Sequence, residues 1–171
     1  MRTPSTSPRT TEWHGQTRHR GSAATYYGHP SKHHVITDGG GIPLAVTLTG
    51  GNRNDITQLL PLIEAIPPVR GRRGRPRRRP GKVFADRGYD HDKYRAQVKA
   101  KGIRPVIACR GVPHGSGLGV YRYVVEQAIA LLHWFRRLRI RWEIRDDIHE
   151  AFLTLGCAII CWRRLKIHAL C

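Results

Sequence analysis

Carboxylates are scarce in this sequence. Twelve Asp and Glu stand against thirty Lys and Arg, giving a formal net charge of +18 and a pI near 11. Such an excess points to a polyanionic partner, most commonly nucleic acid. A ribosomal-type basic protein shows the same bias, so charge alone does not separate an enzyme from a binder. Long apolar runs are missing as well: the longest, residues 151–162, is interrupted by Thr154 and is too short to cross a bilayer. The first residues, M-R-T-P-S-T-S-P, have no apolar core of a secretory leader. The basic residues also do not lie opposite one clean apolar face. The expectation is a soluble, cytoplasmic protein with no membrane contact. Cysteine is sparse, and Cys109, Cys157, Cys161 and Cys171 form no C-x-x-C pair, which argues against a zinc knuckle. Cys157 and Cys161 fall four apart in an apolar helical pattern and read as reduced core thiols.

Residues 1–30 are short of aliphatic side chains and rich in Ser, Thr, Gly, Pro and Arg. They offer too little apolar area to offset the entropy of ordering, so a disordered or unrelated segment is expected there. From residue 31 the character changes. K-H-H-V-I-T-D and P-L-A-V-T-L-T, separated by D-G-G-G-I, read as two antiparallel strands and a glycine turn. N-D-I-T-Q-L-L-P-L-I-E reads as a short helix with Asp55 at the N-cap and Gln58 three residues on. Residues 70–82 hold eight cations in thirteen positions, broken by Pro and Gly, and read as an extended basic loop. K-V-F-A-D and R-P-V-I-A are brief buried strands, with a helix between them closed at Gly102. After the glycine-rich G-V-P-H-G-S-G-L-G comes a long helix from about residue 121 to 133. A closing helix follows over 148–164, with Ile148, Phe152, Leu155, Ile159 and Trp162 near helical spacing.

Three of the twelve carboxylates, Asp86, Asp90 and Asp92, fall inside V-F-A-D-R-G-Y-D-H-D-K-Y. Asp86 ends a short strand, and ligands of open α/β sheets bind at that edge. A helix cap or a pair with Arg87 is an equally weighted structural reading. Asp90 and Asp92 read as helix-start residues that complement the dipole. On the long helix, Arg122 and Glu126 share one face at i, i+4, and His133 continues that face two turns on.

Taken together, S-K-H-H-V-I-T-D-G-G-G-I-P-L-A-V-T-L-T-G-G-N-R-N-D, F-A-D-R-G-Y-D, R-Y-V-V-E and L-H-W-F-R-R-L-R resemble the C-terminal part of DDE transposases of bacterial insertion sequences. The resemblance implies an α/β fold, an RNase H-like mixed sheet with flanking helices. The domain would occupy residues 31–165, with 166–171 as a tail. It also implies that Asp86 and Glu126 are the second and third metal-binding catalytic carboxylates, supported by Arg122 and by His133 at a position where the family has Lys. Phosphodiester transfer would then use Mg²⁺ or Mn²⁺ as a metal pair, and hard oxygen ligands suit these ions better than His33 or His34. Arg70, Arg72, Arg73, Arg75, Arg77, Arg78, Arg79 and Lys82, with Arg136 and Arg137 as a second strip, would hold DNA, both transposon ends and target. A bacterial, nucleoid-associated location and self-association through an open sheet edge are further expectations.

The family's first aspartate lies on a strand before K-H-H, yet residues 1–30 contain no Asp and only Glu12. The expectation is therefore a truncated copy lacking the first strand and impaired in catalysis. Asp38, more simply a turn residue, and Asp55 are weak stand-ins. The alternative is a non-catalytic basic DNA- or RNA-binding protein. His114, in its glycine-rich loop, is a possible DNA contact, but the loop lacks the Lys-Ser/Thr arrangement of a phosphate-binding P-loop.

Overall fold

The computed structural model describes residues 13–15, 22–25, 31–69, 75–111 and 119–169, with side chains over 31–69, 75–111 and 123–166. Its organising element is a hairpin. β3 (Ser31–Asp38) and β4 (Pro43–Gly50) pair antiparallel, with Lys32 opposite Thr49 and Val35 opposite Val46. Asp38 makes the turn: its Oδ1 accepts from Gly40 N at 2.9 Å and from Ile42 N at 2.8 Å. Gly41 follows at φ +80°, a conformation that favours glycine.

Strand alternation sends neighbouring residues to opposite faces, and here both faces are covered. Ile36 packs with Ile56, with Leu59, Leu62 and Ile63 of α1 (Leu59–Glu64), and with Val83 and Val98. Val35 packs on the other side with Leu132, Leu138, Leu153, Cys157 and Ile160. The result is a layer of sheet between two layers of helix.

β5 (Lys82–Ala85) and β6 (Arg104–Ile107) form a parallel pair, joined by α2 (Asp92–Ala100). Parallel strands require such a crossover. Gly102, at φ +75°, ends the helical stretch as its residue type foretold. The second helical layer holds α3 (Gly119–His133), the single turn α4 (Arg136–Arg139) and α5 (Asp146–Ala169). β7 (Ile140–Arg141) joins the last two.

Two strands lie within the first thirty residues, where composition gave no reason to expect any. β1 (Trp13–Gly15) pairs antiparallel with β3 through Trp13–Asp38 to Gly15–Ile36, and lies beside β5. β2 (Ser22–Thr25) pairs antiparallel with the start of β3 and parallel with β7. Both use the β3 edge opposite β4. Pairing there draws on backbone hydrogen bonds, which need no aliphatic side chains. These seven residues of a segment expected to be disordered or unrelated are thus paired to the sheet.

Other local expectations change. Asn54, not Asp55, caps the 3₁₀ turn Asp55–Gln58, its side chain accepting from Ile56 N at 3.3 Å. Asp55 instead faces Lys32 Nζ at 3.3 Å. Asp90 is no helix-start residue: Oδ1 accepts from Arg95 Nε and Oδ2 from Arg110 N, both at 2.7 Å, tying the loop after β5 to the loop after β6. The Arg110 amide, aided by Arg95 against the opposing effect of burial, holds its carboxyl below the usual range. The closing helix begins at Asp146 and continues past residue 165. It buries His149, Leu153, Cys157 and Ile160, while Ile148, Leu155 and Trp162 face outward. Burial, with Cys161 nearby, pushes the Cys157 thiol up to about 12, as befits an inert core cysteine.

Candidate functional site

The apolar run V-F-A buries Val83, Phe84 and Ala85 and delivers Asp86 to the C-terminal end of β5. There Asp86 caps the 3₁₀ turn Arg87–Tyr89, its Oδ1 accepting from Arg87 N at 2.7 Å. The capping reading is thus real, and Asp86 stands at the C-terminal end of the strand. Tyr89 folds back beneath this turn and is 2% exposed. Its hydroxyl has no hydrogen-bond partner among the described residues. Burial first, then the charges of Asp55 and Asp86, push the Tyr89 hydroxyl well above the usual phenolic range. Two carboxylates from separate turns therefore bear on one buried oxygen. Lys32 closes the group, donating to Arg53 O at 2.7 Å and facing Asp55.

Glu126 is exposed on α3. That helix lies along β3: Val124 stands beside Gly41 at the turn, and the His133 ring meets His33 at 6.5 Å between centroids. At 1.5 Å per residue, Glu126 lies about 3 Å along the axis from Val124 and about 10 Å from His133. The Arg122 side chain lies outside the described residues, as do Arg70, Arg72, Arg73 and His114.

The described part of the basic loop is held by a bridge between Val69 and Arg77, at 2.8 and 2.9 Å. Arg75, Arg77, Arg78 and Arg79 are exposed, with Arg79 donating weakly to Lys101 O at 3.4 Å. Lys82 is half-buried at the start of β5. Arg136 is exposed. Arg137 is engaged within the chain, donating to Glu143 at 2.8 Å and lying 5.0 Å over the Phe152 ring.

Sequence reasoning missed a histidine chain. His33 Nε2 lies 2.9 Å from His149 Nε2, and His149 Nδ1 lies 3.3 Å from Glu143 Oε2. With the His149 Nδ1 proton on Glu143, His149 Nε2 accepts from His33 Nε2–H. Burial and then the neighbouring His149, His133 and His34 lower the His33 pKa to about 3. Burial likewise lowers His149, against the pull of Glu143. Glu143 is pushed up by burial, but its own amide, His149 and Arg137 outweigh that and hold it low. The only sequence signal was alternation: His34 turns inward to Thr49 Oγ1 at 2.7 Å, which left His33 for the opposite face.

Comparison with known proteins fits this arrangement. The family described as "Transposase DDE domain" matches residues 1–116, more than half of the chain, and the chain belongs to that family. The match includes Asp86 and stops before α3 and Glu126. A transposase of insertion sequence element IS402 from Burkholderia cepacia is 62% identical over 136 residues, 80% of this chain and 64% of that relative. The chain thus spans less than two thirds of that relative's length. A transposase of element IS6501 from Brucella ovis is 27% identical over 141 residues, 78% of this chain and 98% of the relative. Among solved structures, the fold resembles a chain in the simian T-cell lymphotropic virus intasome bound to PP2A regulatory subunit B56 gamma. The TM-score there is 0.50 at 17% identity, over 86% of this chain and 47% of that one.

The family's use of divalent metal sets a requirement that the residues here can be measured against. Among the described residues, no group of three or more His, Cys, Asp or Glu is placed to hold a metal ion. Asp55 and Asp86 supply oxygen donors around Tyr89, but they do not make a complete set. No described helix is long and apolar enough to cross a membrane.

Proposed function

We propose that this chain is the DNA-handling α/β domain of a DDE transposase, RNase H-like in fold, with Asp86 and Glu126 as its family carboxylates. Family membership over a segment that carries Asp86 at a strand's end is the observation that carries the reading. Opposite charges divide the work. The exposed arginines of residues 75–79 and Arg136 neutralise phosphates, while Asp86 and Asp55 stand at the sheet edge where a phosphodiester would lie. Divalent metal, when bound, would supply charge stabilisation to attacking and leaving oxygens. Among the described residues the donor set is incomplete. Strand cleavage by the chain alone is expected to be very slow or absent.

A second reading, a DNA- or RNA-binding protein without chemistry, is favoured by that same gap in the donor set. One experiment separates them. Supercoiled plasmid is incubated with the chain in Mg²⁺ or Mn²⁺ and nicked product is measured, beside the Asp86→Ala variant. Nicking that Asp86→Ala abolishes would show the carboxylates still working; duplex binding without nicking supports the second reading. Failure to bind duplex DNA at all overturns the proposal.

A further inference from the structure

α5 carries two apolar stripes, and the fold uses one. His149, Leu153, Gly156, Cys157 and Ile160 are buried against α3, α4 and the sheet. On the outer side, Ile148, Ala151, Leu155, Ala158, Trp162 and Leu165 are all exposed. Their spacing alternates three and four residues throughout, the a/d rhythm that seats one helix against another. Exposure is 56% at Leu155 and 62% at both Trp162 and Leu165, far above what a monomer gains by displaying them.

We propose that this seam is a dimer interface, occupied by α5 of a second copy of this chain running antiparallel. The occupant follows from the seam's own pattern. In a two-fold antiparallel pairing centred between Leu155 and Ala158, Leu155 meets the Ala158 position of the other copy, and Trp162 meets the Ala151 position. Ile148 then meets Leu165. Each of the two bulkiest inner layers thus sets a large side chain against alanine, so that one surface is complementary to itself, as an isologous interface requires.

Charge agrees with this direction. The N-terminal end of α5 carries Asp146, Asp147 and Glu150, and the C-terminal end carries Arg163, Arg164 and Lys166. Antiparallel pairing brings Asp147 level with Lys166 of the other copy and Glu150 level with Arg163, while parallel pairing would stack like charges. The helix dipoles oppose one another in the same way. Nucleic acid is a poor occupant for an uncharged seam, and the inference does not depend on the transposase reading.

The test is sedimentation equilibrium of the full chain in high salt without DNA, across protein concentration. A reversible monomer–dimer equilibrium is expected, weakened at least about tenfold (a loss of about 1.4 kcal/mol) by Leu155→Glu. The side chain is exposed, so circular dichroism and the melting temperature of that variant at low concentration should match wild type. The register is read separately: Leu155→Cys and Ala158→Cys, each made in its own chain with Cys109 and Cys171 changed to Ser, should give a covalent dimer when the two are mixed and oxidised. A strictly monomeric chain, or a dimer indifferent to Leu155→Glu, overturns the proposal. So does a mixed dimer that fails to cross-link.

Discussion

His33 and His149 share a single proton across 2.9 Å, and that shared proton makes the fold sensitive to acid. The charged or titratable groups around the pair are Glu143 from the loop before α5, His133 from α3, Arg141 from β7 and Asp146 from α5, with His34 on the other face of β3. In the folded chain His33 titrates near 3, against about 6.5 when unfolded. Between those values the unfolded state binds more protons, so stability is full above about pH 6.5 and falls as pH drops toward 3. His149, also lowered, acts in the same direction. Each net proton steepens the decline by about 1.4 kcal/mol per pH unit. His33→Gln removes one such proton, so urea midpoints measured down the acid limb should fall less steeply than in wild type. An unchanged slope would show that His33 takes up its proton at the same pH in the native and unfolded states. None of this was legible in H-H-V-I, because the partner of His33 lies 116 positions away on α5. Asp86 was legible, since three apolar residues followed by Asp-Arg-Gly already described a strand with its carboxylate at the end.

Elements bounded by strong local signals matched their expectations. Alternation and D-G-G-G gave β3, its turn and β4, and the apolar runs with Gly102 between them gave β5, α2 and β6. What failed was the assignment of faces. α5 has apolar residues on two sides, and periodicity alone does not tell which side meets the core. Gly156 marks the true inner face: a Cβ there would stand 2.9 Å from Leu138 Cδ1 and 3.2 Å from Leu132 Cδ2. Both leucines are 1% exposed and have little room to yield. Gly156→Val should therefore cost roughly 1–3 kcal/mol, measured by chemical denaturation. A neutral result would mean that α5 can slide outward without loss. The short strands β1, β2 and β7 were not legible either, because each is defined by a distant edge rather than by its own composition.

At the scale of the molecule, net charge and family membership point to the same partner by independent routes. If about five arginines engage phosphates, the logarithm of duplex affinity should fall with the logarithm of salt at a slope of about −4 to −5. Fluorescence anisotropy across a salt series gives that slope directly. A slope near zero would leave the basic loop as no more than a solvated surface. For the proposed carboxylates, the sequence blocks singled out Asp86 and Glu126, but sequence order carries no information on how closely a strand end and a helix approach.

The pairing of β2 with β7 closes the molecule from both ends, and the buried Arg141 guanidinium, hydrogen-bonded to Ser31 Oγ, spans 110 positions of chain. A nascent polypeptide leaves the ribosome N-terminus first, so β2 waits for its neighbour until β7 has been made. During that interval the outer edge of β2 has no native cover. Growth on a translating ribosome is therefore the moment at which this chain is most open to pairing with the wrong strand.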